Sequence, residues 1–279
     1  MTNVTAIQMI STPEVDENLA QLTEQLDQLS ISAPHLVVLP ECFARFGSSD
    51  KQQLALAQEQ AKAQDGTSIF ARLQQIASHY QVWLVCGTVP APSDSADHFR
   101  ARCWVIDDKG QYVTHYDKIH LFDVSVDDST GDYKESRFTE PGERVVTFDS
   151  PFGRVGLAVC YDVRFPGLFQ AMPDVDVVVL PSAFTQKTGE AHWHALLKAR
   201  SIELQAFMVG ANQGGVHANG RETYGNSVIY SPWGKQLALI EKGVGSVTAP
   251  LKLSEIPKIR QSMPIMQHKK FRSHFDKSS

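Results

Sequence analysis

Leu36-Val37-Val38-Leu39-Pro40 and Val177-Val178-Val179-Leu180-Pro181 are unbroken runs of branched apolar residues, each stopped by proline. A strand with one wet face alternates apolar and polar side chains. These runs do not alternate, so both of their faces are covered. Helices to cover them stand on either side. Leu19, Leu22, Leu26 and Leu29 form one helical stripe, and further helices are expected over Lys51–Ala63 and Ser68–Tyr80, parted by an Asp65-Gly66 break. A long helix over Glu190–Gln205 carries Trp193, Leu196, Leu197, Arg200 and Leu204 on one side, and a shorter one is expected at Pro166–Met172. Strands are expected at Asn3–Ile10, Val82–Val89, Arg102–Asp107 and Gln111–Asp117, the last two joined by an Asp108-Lys109-Gly110 hairpin. They resume at Arg144–Asp149 and Arg154–Val159, then at Ala206–Ala211, Asn226–Ser231, Gln236–Ile240 and Gly245–Ala249. So many late strands favour two stacked sheets with helices outside over one doubly wound sheet. Between Lys118 and Pro141 the pattern dissolves into a polar loop long enough to suggest function.

Nothing divides the chain, so residues 1–279 are read as one domain, with 251–279 a C-terminal helix (Leu253–Gln261) and tail. The 26 Lys+Arg against 31 Asp+Glu give a net charge of −5, which argues against nucleic acid, and the short basic tail with Lys269, Lys270, Arg272 and Lys277 does not reverse that. Apolar runs stop far short of a membrane span, and no signal-peptide pattern is present, so a cytoplasmic protein without membrane partners is expected. The four cysteines have neither disulfide-scaffold nor zinc spacing. There is no GxGxxG or GxxxxGK[ST] signature and no credible ligand cluster, so no metal or organic cofactor is expected.

Chemistry concentrates at strand ends. Cys160 follows Val155-Gly156-Leu157-Ala158-Val159 and precedes Tyr161-Asp162-Val163-Arg164-Phe165-Pro166, a strand delivering a cysteine into a turn before a helix. That resembles a nucleophile elbow, where backbone N–H groups would favour a thiolate; locally the residue also reads as an ordinary buried cysteine. Cys42, Cys86 and Cys103 are assigned to the core. Glu41 projects from the end of the Leu36–Pro40 strand and could take a thiol proton, or be a plain exposed carboxylate. Lys118 ends the Gln111–Asp117 strand, where its ammonium could face a developing oxyanion, or simply be solvated. His192 and His194 point to different helix faces, and His120 is a supporting residue at best.

These segments resemble the nitrilase superfamily of carbon–nitrogen hydrolases along nearly the whole chain. The motifs that carry it are Leu39-Pro40-Glu41-Cys42-Phe43, Tyr116-Asp117-Lys118-Ile119-His120-Leu121-Phe122-Asp123 and Gly156-Leu157-Ala158-Val159-Cys160-Tyr161-Asp162-Val163-Arg164-Phe165-Pro166. The resemblance implies an α/β fold, a four-layer α-β-β-α sandwich, assembled as a homodimer or a higher homo-oligomer. It implies Glu41 as general base, Lys118 as oxyanion stabiliser and Cys160 as nucleophile. It also implies a second glutamate after the lysine, for which Glu135 in Tyr133-Lys134-Glu135-Ser136-Arg137-Phe138 is the candidate.

Pro181-Ser182-Ala183-Phe184, Thr188-Gly189-Glu190-Ala191-His192-Trp193 and Lys198-Ala199-Arg200-Ser201-Ile202-Glu203 resemble the amidase branch containing omega-amidase and deaminated-glutathione amidase. Phe165-Pro166, Ser182-Ala183-Phe184 and Gly214-Gly215 lean toward the latter. The implied reaction is hydrolysis of a small carboxamide through a thioester, with the Tyr161 backbone N–H assisting Lys118. A nitrilase or carbamoylase using the same three residues, or a non-catalytic binding module, is the alternative. Arg164, four residues after Cys160, could grip a substrate carboxylate or pair internally with Asp162. Phe184 and Thr188 could wall the pocket, and Arg200 with Glu203 reads as a structural helix pair.

Overall fold

The computed structural model describes residues 2–31, 34–63, 66–126 and 131–271; Asp65 of the expected break and Arg272 and Lys277 of the tail lie outside them. The first half runs Asn3–Gln8 (β1), Val15–Asp27 (α1), His35–Val38 (β2), Asp50–Lys62 (α2), Ile69–Tyr80 (α3), Trp83–Val85 (β3) and Val89–Pro92 (β4). It continues through Phe99–Ile106 (β5), Tyr112–Asp117 (β6), Asp123–Ser125 (β7) and Asp132–Lys134 (β8). The second half runs Thr147–Ser150 (β9), Gly153–Leu157 (β10), Pro166–Ala171 (α4), Val177–Ser182 (β11), Gln186–Leu204 (α5), Phe207–Asn212 (β12) and Ser227–Tyr230 (β13). Gln236–Ile240 (β14), Gly245–Pro250 (β15), Glu255–Ser262 (α6) and Ile265–His268 (α7) complete it.

One sheet has the order β15-β1-β2-β3-β5-β4, with β6 also paired to β5; the other has the order β14-β13-β12-β11-β10-β9. Both are parallel at the centre, β1-β2-β3 in one and β10-β11-β12 in the other. Strand alternation explains the layering. Val4, Ala6, Leu36, Val38, Val85 and Val105 face the second sheet, whereas Ile7, Val37, Leu39, Leu84 and Ile106 meet Leu19, Leu22 and Leu26 of α1 and Leu73 of α3. Trp193 and Leu197 of α5 and Phe169 of α4 cover the second sheet. The result is the α-β-β-α sandwich, with β1 against β12 and β13 at the seam. Among the described residues no helix is long and apolar enough to cross a membrane, and no three His, Cys, Asp or Glu side chains group as a metal site.

Helix starts follow their caps. Ser49 and Gln52 form a reciprocal capping box on α2, and the Ser68 hydroxyl accepts the Ala71 N–H at 3.1 Å on α3. Two differences from expectation have a clear local cause. α5 begins four residues before Glu190, because Thr185 caps it by accepting the Thr188 N–H at 3.3 Å. Gly189, which weakens the helical pattern there, is glycine because a Cβ would lie 2.3 Å from the Tyr224 ring. The single strand expected at Val82–Val89 is broken by Gly87, at φ +56°, where a side chain would overlap the Pro40 carbonyl. The long polar loop holds the β7–β8 hairpin and a 3-10 turn at Glu135–Arg137.

Candidate active site

Three strand ends converge on a cavity of about 330 Å³. Glu41 follows β2 and Lys118 follows β6 in the first sheet, and Cys160 follows β10 in the second. All eight residues singled out in the sequence line this cavity: Glu41, Lys118, Glu135, Cys160, Tyr161, Arg164, Phe184 and Thr188. Glu41, Lys118 and Cys160 are 5%, 2% and 8% exposed, so water does little to screen their charges.

Lys118 is the electrostatic centre. Its Nζ donates to Glu41 Oε1 at 2.8 Å and to Glu135 Oε1 and Oε2 at 3.0 and 2.8 Å. The Phe122 backbone N–H donates to Glu135 Oε2 at 2.7 Å and fixes that carboxylate. Burial by itself would lower the lysine's pKa, but the Glu135 and Glu41 carboxylates outweigh it and hold the ammonium charged, well above its usual value. Glu135 is pushed up chiefly by burial, with Glu41 adding to the effect and Lys118 opposing it.

The Cys160 backbone is left-handed, φ +45°, at the start of a 3-10 turn over Cys160–Arg164 that runs into Pro166 at the head of α4. A non-glycine residue in this region is strained, as at a nucleophile elbow. Asp162, fully buried, holds the turn: it accepts from the Val159 N–H at 2.8 Å, the Tyr116 hydroxyl at 2.8 Å, and His120 through its backbone N–H at 3.1 Å and Nδ1 at 2.7 Å. His120 stacks on Phe165 with centroids 3.7 Å apart. The Glu41 carboxylate and the Ala183 backbone N–H stand near enough to the thiol to bear on its protonation, and both residues line the cavity with it. Burial first, then the Glu41 charge, push it well above the ordinary thiol value, against the pull of Lys118 and Ala183. These surroundings favour the protonated thiol over the thiolate, beside a carboxylate.

Other expectations are settled by contacts. Arg164 does not pair with Asp162; its Nη1 lies 3.1 Å from His192 Nδ1, and its guanidinium lies over the Tyr161 and Phe184 rings. Arg200 pairs with Glu203 at 3.1 Å and also donates to the Val163 carbonyl, as a structural residue would. Cys42 is not core: it lines the cavity with φ +56°, its thiol pushed up to about 12 by burial and by Glu41. Arg221 also lines the cavity and was missed. It sits in Gly220-Arg221-Glu222-Thr223, a polar turn that looks like any solvated loop, and only the fold brings it inward.

The class to which this fold and cavity belong is the carbon–nitrogen hydrolases: the model of that family matches residues 3–261, and the chain belongs to it. It is 36% identical over 272 residues to deaminated glutathione amidase of Yersinia enterocolitica, covering 96% of this chain and 93% of that protein. It is 33% identical to the protein of the same name from Dictyostelium discoideum, with the same coverage. The crystal structure of Saccharomyces cerevisiae Nit3, a member of branch 10 of the nitrilase superfamily, superposes with a TM-score of 0.82 at 27% identity, covering 97% of both chains. The chain is thus an amidase acting on carbon–nitrogen bonds.

Proposed function

We propose that the cavity hydrolyses a small carboxylate-bearing carboxamide through a thioester on Cys160, with deaminated glutathione or a related α-keto acid ω-amide as substrate. The observation that carries this reading is that buried Cys160, Glu41 and Lys118 line one cavity, with Lys118 Nζ 2.8 Å from Glu41 Oε1. In this mechanism Glu41 takes the thiol proton as Sγ attacks the amide carbonyl, and the carbonyl π electrons move to oxygen. Lys118 Nζ and the Tyr161 backbone N–H stabilise that oxyanion. When it collapses, the C–N bond breaks and Glu41 returns the proton to the leaving amine. Water, deprotonated by the same carboxylate, then attacks the thioester; the acid leaves and the thiol is restored.

Glu135 orients Lys118 by gripping its ammonium, so Nζ has a fixed direction before substrate arrives. Arg164 is suited to a carboxylate on the acyl group, since no carboxylate among the described residues pairs with it. Phe184 and Thr188 bound the space beside it. The names of the relatives support the deaminated-glutathione assignment.

Mass spectrometry of enzyme quenched during turnover is expected to find the acyl group on Cys160, and Cys160→Ala to abolish both adduct and ammonia or amine release. Glu41→Gln is expected to lower kcat/KM by at least about a hundredfold with folding retained, because base and acid duties both fall on it. Turnover surviving in Cys160→Ala would remove the mechanism. Faster release from nitriles or carbamoyl amines than from α-keto amides would move the substrate to those classes.

A further inference from the structure

Several arginines hold carboxylates: Arg100 with Glu140, Arg102 with Asp117, Arg200 with Glu203 and Arg260 with Asp176. Arg45, Arg164 and Arg221 line the cavity without a carboxylate partner among the described residues, and of these Arg45 is taken up by the Pro13 and Gln52 carbonyls. Arg221 is nonetheless fixed. Its Nη2 donates to the Ala183 carbonyl at 2.9 Å, and its guanidinium lies 5.1 Å from the Phe46 ring and 5.0 Å from the Tyr133 ring. Its Nη1 makes no hydrogen bond among the described residues. A guanidinium held in the cavity wall with donors left over can receive an anion.

Topology says where that site lies. In the second sheet β11 runs between β10 and β12, and Ala183-Phe184 follow its end at Ser182. Arg164 arrives from the turn after β10 and lies over Phe184; Arg221 arrives from the loop after β12 and binds the Ala183 carbonyl. The two cations therefore approach from opposite flanks of the Ala183-Phe184 segment, which lines the cavity together with the Cys160 sulfur. A scissile carbon at that sulfur would have one guanidinium toward each half of the amide.

We propose that Arg221 is a second carboxylate site, binding the carboxylate of the leaving amine, so that the enzyme selects amides anionic on both sides of the scissile bond. Arg164 then holds the acyl carboxylate and Arg221 the amine carboxylate. This deepens, and rests on, the amidase reading above.

The test uses the intact enzyme and three α-keto acid ω-amides that share one acyl group. The first is the primary amide, the second an amide to an amino acid or dipeptide with a free C-terminal carboxylate, and the third the same compound as its methyl ester. The wild-type enzyme is expected to prefer the free carboxylate over the ester by about tenfold or more in kcat/KM, the scale of one charge-assisted hydrogen-bonded pair. Arg221→Gln is expected to bring that ratio close to one, mainly through KM, and Arg221→Lys to restore part of it. A structural role would lower all three substrates in proportion and leave the ratio intact. A wild-type ratio near one overturns the inference even if the variants do not fold, and so does a ratio retained in Arg221→Gln. Loss of the inference alone would leave hydrolysis of the primary amide in place; no turnover of any of the three amides would remove the amidase reading with it.

Discussion

Cys160 brings together two properties that pull apart: a strained backbone that aims its sulfur into the cavity, and surroundings that keep the proton on it. A thiol raised above the ordinary value has less thiolate at neutral pH than free cysteine. Iodoacetamide is therefore expected to modify Cys160 more slowly than free cysteine at pH 7, with a rate that climbs about tenfold per pH unit and continues past the free-thiol pKa. Lys118 pulls the thiol downward, so Lys118→Met is expected to shift that rise to still higher pH. Faster modification than free cysteine at pH 7, read by peptide mapping, would contradict the burial argument. The residue scale was also where the sequence was most legible. Glu41, Lys118 and Cys160 each sit at a strand end, and their separate motifs survive in the linear order. Burial, the dominant influence on the thiol, is a three-dimensional quantity, so the direction of its shift was not legible there.

The loop between β12 and β13 shows what element-level reading could not supply. Its anchors are long-range: Gln213 bonds the Ser11 hydroxyl and the Glu41 carbonyl, and His217 Nδ1 donates to the Ser11 carbonyl at 3.0 Å while Nε2 faces the Thr223 hydroxyl at 2.9 Å. Partners some two hundred residues away leave no periodicity in the sequence, which is why Arg221 went unnoticed. His217 has a pH signature of its own. Burial lowers it from 6.5 to about 4, so the unfolded chain binds a proton between those values that the folded protein refuses. Stability is expected to be level with respect to this group above pH 6.5 and to fall by about 3 kcal/mol as pH drops to 4. His35 and His115 are also lowered by burial and act in the same direction. The isolating comparison is His217→Gln, whose urea midpoint should decline less steeply over that window. An identical acid slope in the variant would mean His217 protonates freely in the folded state.

At the scale of the whole molecule, the two uninterrupted apolar runs were enough to imply strands covered on both faces, and the late strands to imply a second sheet. How the sheets register against each other was not legible, because most residues between them are interchangeable hydrocarbons and the few polar links, such as Gln8 with Ser227, join distant parts of the chain. That register matters for chemistry, since Glu41 and Lys118 come from one sheet and Cys160 from the other. Tyr116, fully buried on β6 of the first sheet, sends its hydroxyl across to Asp162 in the turn after β10 of the second, at 2.8 Å. It is a directional link between the halves, directly beside the cavity residues Lys118 and Cys160. Tyr116→Phe keeps the ring's packing and removes only this bond, leaving a buried carboxylate one donor short. The expected cost is about 1–3 kcal/mol, seen as a lower urea midpoint at unchanged slope. If the link sets the distance between thiol and ammonium, kcat should fall on the order of tenfold while KM changes little, since misplacement acts on the reacting atoms rather than on carboxylate binding. A variant destabilised by that amount yet with full kcat would show that the remaining contacts between the sheets align them without this bond.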